Sequence, residues 1–338
     1  MLPLTVMAEE NRPRPSNNSM KQRIHHRMKQ ADAHVLEEIR GEIEALPSGA
    51  KIDLETSASI ARYLEDPTDH GLAALMELAP LLAEKQLYSP AVLMSEDPTS
   101  YSPAGRNRHL FLLHWPRDSA FSQEIDSYLV SSMRPFVEEA ARRGYPMRAT
   151  PVNEAYVRLL VPRLVEVDSS EADEAILMFL FCPLWNDSFP GHEDGEMARW
   201  IVSQLKPMPK DRRCSLLQKF VARFPSQLMA EGARQNSVAR WGDLRPNLKA
   251  VLSASRDCAG VEAEVPEFLQ RAVTQVSELP TGDRIVVMDT AKGLHTASGA
   301  EELKLQKALY EEARMLWCRE QLEAAAEIVK QWLNESPH

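Results

Sequence analysis

Glycine is scarce in this chain, with 13 among 338 residues against 23 prolines. Neither GxGxxG nor GxxxxGK[ST] occurs, so the loops whose backbone cradles a dinucleotide or a nucleoside triphosphate are missing from the sequence. Cysteine is scarce too. Cys182, Cys214, Cys258 and Cys318 form no CxxC or CxxxC pair, which excludes a zinc knuckle and a thioredoxin-like motif. A core of this size needs no covalent staple, so the four are expected to be ordinary buried thiols in a reducing cytosol. There is no long apolar run. The longest, residues 175–185, is 11 residues, and a spanning helix needs about 20. The first ten residues lack a basic segment and reach acids at Glu9, unlike a secretory signal. These absences predict a cytoplasmic protein with no membrane partner.

Composition is that of a soluble globular protein: 44% apolar, 26% charged, 39 basic and 49 acidic side chains, net −10. It excludes a wholly disordered chain, a collagen and a disulfide miniprotein. The charge is uneven. Residues 1–30 hold six basic and two acidic side chains, so they carry +4 and the rest of the chain −14. Such an arm either touches an anionic surface or is simply solvated.

Four regions follow from the pattern. Residues 1–19 contain nothing to bury and read as a disordered tail. Residues 20–89 read as a helical module, with Ile24, Met28, Ala31, Val35, Ile39, Ile43 and Leu46 on one stripe and Pro80 bending or splitting a later helix. Residues 90–295 read as an α+β core. Short strands are expected at 90–94, 109–115, within 156–167 and at 284–289, and helices at about 120–143, 195–206, 211–223, 225–234, 244–253 and 264–277. The segment 95–108 reads as a loop, and 171–181 is ambiguous because a continuous apolar run has no period. Residues 296–338 read as one long helix or a helical hairpin. The expected fold class is therefore α+β and helix-rich: a helical N-terminal module, a central mixed region with a small sheet, and a long C-terminal helix or helical hairpin.

Several constellations have chemical potential. The segment Asn186–Glu196 concentrates carboxylates around one imidazole in a Gly/Pro loop. Asp187, His192, Glu193 and Asp194 there are candidate ligands for a divalent metal, and His192, Glu193 and Asp194 candidate acid–base groups. The spacing matches neither HExxH nor a calcium loop, and the same acids would suit the start of the next helix. His114 near one expected strand end and Asp289 at another are further catalytic candidates, although no nucleophile elbow accompanies them. Residues 52–94 follow the order of a winged helix-turn-helix, yet the would-be recognition helix offers Glu77 and Glu84 against a lone Lys85, which disfavours nucleic acid. In the last segment Leu309, Ala313, Leu316, Leu322, Ala325, Val329, Leu333 and Pro337 fall where one tetratricopeptide-like hairpin with its break near Glu320 would put its packing residues, and an uninterrupted helix of about 35 residues is the simpler reading. Trp332 is expected to pack on the protein's own body, and the end bearing Trp317 to dock a partner.

These features point first to an intracellular interaction or regulatory protein with a protein partner, no catalysis and no cofactor. A hydrolase-like enzyme using residues 186–196, with or without a metal, is the second reading. A DNA-associated regulator using 52–94 is the third.

Overall fold

The computed structural model describes residues 69–86, 89–95, 103–143, 154–182, 195–229, 244–294 and 299–335, together with residues 40, 41, 44, 45, 47 and 97. The chain divides into two compact units, Met1–Tyr128 and Leu129–His338. The expected tail and most of the first helical stripe lie outside the described residues.

In the first unit, α1 (Asp69–Glu84) packs on α3 (Pro103–Leu113), with the one-turn α2 (Ala91–Met94) between them in sequence. Leu78, Ala79 and Leu82 form the buried stripe of α1, and its Pro80 is exposed and accommodated within the helix. Phe111, Leu112 and Trp115 continue this core, and the Trp115 indole N–H donates to the Ala120 carbonyl at 3.2 Å. α4 (Ser122–Arg143) begins in this unit and ends in the next.

The second unit holds α5 (Glu154–Glu166), α6 (Ser170–Leu180), α7 (Glu196–Gln204), α8 (Lys210–Met229), α9 (Arg245–Ala254), α10 (Ala259–Glu278), α11 (Arg284–Gly293) and α12 (Ala300–Asn334). α8 packs on α10, both α10 and α11 pack on α12, and α9 lies between α7 and α12. Its centre is a run of aromatic rings. Phe181 stacks on Phe220 with centroids 4.3 Å apart, Phe220 meets Phe224 at 5.8 Å, and Phe224 meets Phe268 at 6.1 Å. Arg212 ties α8 to the α5–α6 turn. Its guanidinium pairs with Asp173 at 2.8 Å and donates to the Val165 and Val167 carbonyls at 3.0 and 2.6 Å, satisfying orphan carbonyls at the end of α5.

No strand occurs among the described residues, so the expected α+β class with a small sheet is wrong: the described chain is all helix. Each expected strand is helical for a nameable reason. Residues 156–167 were expected to favour strands because Val and Leu are dense there. The buried apolar set is Tyr156, Val157, Leu160, Val161, Leu164 and Val165, a 3.6-residue period, and Pro162 sits on the less buried side. Residues 109–115 and 175–181 are buried on nearly all sides, which erases the period. The 171–181 ambiguity resolves as α6, started by Ser169, whose hydroxyl accepts from the Ala172 N–H at 3.1 Å. At 284–289 the Asp283 carboxylate accepts from the Ile285 and Val286 N–H groups, an N-cap that starts α11 instead of a strand. The expected strand at 90–94 is α2, and the expected loop 95–108 ends inside α3. The two helices expected around residue 224 are one, because α8 runs through Pro225.

The C-terminal segment is one uninterrupted helix of 35 residues. Trp332 packs on the body of the unit as expected, 6% exposed. Trp317 does not serve as an exposed docking end: it is 5% exposed. The expectation of four free thiols also fails. Cys214 and Cys258 form a disulfide, and Cys182 and the buried Cys318 are outside any disulfide.

Candidate functional site

An open groove of about 1070 Å³ runs along the second unit between α7, α9 and α12, with α8 contributing Arg213. Its walls follow from helical spacing. On α7 and the turn after it, Arg199, Ser203 and Lys206 fall three to four residues apart and share one face. On α9, Arg245, Lys249 and Ser253 do the same at intervals of four. The α12 wall is Ala324, Glu327, Ile328 and Gln331. Val202, Ala250 and Ala254 join Ala324 and Ile328 in an apolar surface between the polar ridges, and the small alanines leave the space open.

Specific contacts hold these walls. Gly195 precedes α7 with φ of 79°, a left-handed conformation that favours glycine, and a Cβ there would come within 2.7 Å of the Pro246 Cβ. This glycine lets the start of α7 approach the start of α9. The Asn247 amide donates to the Leu180 carbonyl at 2.7 Å. α12 grips α9 at both ends. Gln321 accepts from the Leu244 N–H at 3.1 Å at its start, and the Trp332 indole N–H donates to the Leu252 carbonyl at 2.8 Å near its end. Beyond it, Arg256 donates to the Trp332 carbonyl at 2.7 Å and lies over the indole ring at 5.0 Å from its centroid.

The groove's electrostatics oppose those of the whole chain. Five lining side chains are cationic: Arg199, Lys206, Arg213, Arg245 and Lys249. The lining carboxylate is Glu327, which pairs with Lys330 at 2.6 Å. Four of the cations are exposed at the walls. Arg213 is more buried, pairs with Asp257 at 2.6 Å, and has a buried Nε with no hydrogen-bond partner among the described residues. Lys210 also reaches Asp257, at 3.7 Å.

The structure distributes the candidates from sequence differently. Asp187, His192, Glu193 and Asp194 lie outside the described residues. His114 ends α3, and its Nδ1 lies 2.7 Å from the Leu110 carbonyl, one helical turn back. Asp289 sits in the middle of α11, exposed, paired with Lys292 at 3.3 Å. Neither lines the groove. In the helix-turn-helix-like segment, Lys85 donates to the Glu44 carbonyl at 3.2 Å. The Cys214 and Cys258 sulfurs and an Asp257 oxygen lie within 4.8 Å of one another, a metal-like grouping in which the two sulfurs are bonded to each other. Sequence reasoning missed the groove, although the spacing of Arg199 with Lys206 and of Arg245 with Lys249 was its signal.

No helix among the described residues is long and apolar enough to cross a membrane. No protein-family model, curated protein or solved structure matches the chain.

Proposed function

We propose that this chain is an interaction protein that docks an acidic, amphipathic helical segment of a protein partner in the groove between α7, α9 and α12. One observation carries the proposal: among the described residues five cationic side chains and one carboxylate line the groove, in a protein whose net charge is −10. The ridges suit a helix. Arg199 on α7 and Lys206 in the turn after it are seven residues apart, so carboxylates spaced by turns on the partner can reach both. The surface formed by Val202, Ala250 and Ile328 would receive the partner's apolar face.

The same lining argues for protein over nucleic acid. Among the described residues no aromatic side chain lines the groove to stack on a base, and the acidic body repels a long polyanion. The proposed compartment is the cytoplasm, where the Cys214–Cys258 pair would meet reducing dithiols.

The test is fluorescence anisotropy with a labelled peptide of about 18 residues, glutamates on one helical face and leucines on the other. It should bind, and weaken as salt rises from about 50 to about 200 mM. Arg199→Glu with Lys249→Glu should abolish binding. Lys304→Glu with Lys307→Glu, an equal charge change on the exposed start of α12, should not. Absence of binding at low salt refutes the proposal. Tighter binding of a single-stranded oligonucleotide than of the peptide would replace it with the nucleic-acid reading.

A further inference from the structure

The disulfide lies beside the groove. Cys214 is in the second turn of α8, and Cys258 is the N-cap residue of α10, 44 residues later. Arg213 connects the two places. It adjoins Cys214 in sequence, its guanidinium holds Asp257, the neighbour of Cys258, and it lines the groove. The two sulfurs differ in setting. Cys214 is half-buried, whereas Cys258 is 3% exposed.

We propose that Cys214–Cys258 is a dithiol-exchange site whose redox state sets the affinity of the neighbouring groove for its acidic partner; the second half of this inference rests on the groove reading above. The accessible sulfur is the one attacked. A thiolate of a dithiol reductant able to close its own cyclic disulfide, such as a 1,4-dithiol, adds to Cys214 Sγ, the Cys214–Cys258 bond breaks, and Cys258 leaves as a thiolate. The reductant's second thiolate then attacks its own sulfur in the mixed disulfide and releases Cys214. The sum is one cystine and one dithiol giving two cysteines and one reductant disulfide, with two electrons and two protons transferred.

The surroundings favour this direction of cleavage. Cys258 stands at the N-terminus of a 20-residue helix whose first N–H groups have no side-chain cap, so the leaving thiolate faces the positive end of the helix dipole. The adjacent Asp257 carboxylate would oppose it, but Lys210 and Arg213 both contact that carboxylate. A stabilised thiolate leaves faster and makes the disulfide easier to reduce.

Reduction acts on the groove through Arg213. In the oxidised state the bond clamps the turn carrying Arg213 to the residues joining α9 and α10. In the reduced state the clamp is gone, and the turn carrying Arg213 is no longer tied to the residues that hold Asp257. The groove then holds one cation less firmly, and the acidic segment binds more weakly.

The experiment uses the full chain. Folded protein is treated with millimolar dithiothreitol, alkylated and peptide-mapped while circular dichroism monitors the fold. In parallel the amphipathic acidic peptide is titrated into oxidised protein, reduced protein and Cys214→Ser. Labelling at Cys214 and Cys258 without unfolding is expected, with peptide affinity about tenfold lower in the reduced protein, the scale of one charge-assisted contact, and Cys214→Ser matching it. Chemical reduction of the native chain keeps the test intact if the variant fails to fold. A disulfide that yields only when the chain unfolds is a structural staple and overturns the exchange site. Equal affinity in both states overturns the coupling. A peptide that binds neither state removes the groove reading and the coupling with it, while labelling still decides the exchange site.

Discussion

Replacing Trp332 by alanine should be among the most damaging single changes in the second unit. The side chain is 6% exposed, so truncation removes nearly a whole indole from a packed site. Loss of transfer free energy and the cavity left behind cost ~3–5 kcal/mol for a buried tryptophan. Two further contacts go with it: the indole N–H to the Leu252 carbonyl at 2.8 Å and the Arg256 guanidinium over the ring. Those are lost on the α9 side, so the damage includes the groove wall. Trp332→Phe separates the effects. It keeps most of the apolar area and loses the hydrogen bond, which should cost about 1 kcal/mol for the bond and a further ~1 kcal/mol for altered packing. Urea melts followed by tryptophan fluorescence and circular dichroism measure both, with the transition of the second unit fitted separately if the units unfold apart. A loss below about 1 kcal/mol for Trp332→Ala would refute self-packing and leave the end of α12 as a surface feature.

Gly195→Ala should destabilise the second unit by more than ~2 kcal/mol, since the new Cβ meets Pro246 at 2.7 Å on a left-handed backbone; it should also weaken acidic-peptide binding, and unchanged melts would refute the close approach. Cys318 should resist alkylation in the folded chain, because burial pushes its thiol from 9.0 up to about 11 and its Sγ donates to the Leu228 carbonyl at 3.1 Å. The sign follows: a raised folded pKa contributes stability fully present below pH ~9 and lost as pH rises through about 11, so Cys318→Ala should flatten the alkaline fall in thermal midpoint over that window, and an unaltered fall would refute the assignment.

Three helices of the last third were legible because their apolar residues recur at helical spacing, whereas α11 in the same stretch was expected as a strand. α9, α10 and α12 appear within a few residues of where apolar spacing puts them. The central region was not, and the reason is burial. Around 109–115 and 175–181 nearly every side chain is inside, and a helix buried all round looks like a buried strand in one dimension. At 156–165 the helical period was present and was outweighed by β-branched content, a propensity that tertiary packing overrides. Asp283, directly before the segment expected as a strand, is the N-cap that starts α11. The disulfide was not legible, because no local spacing relates residues 44 apart. The groove was half legible. Each basic ridge shows its helical spacing, but that the two ridges face each other depends on Gly195 meeting Pro246, a contact between segments 51 residues apart.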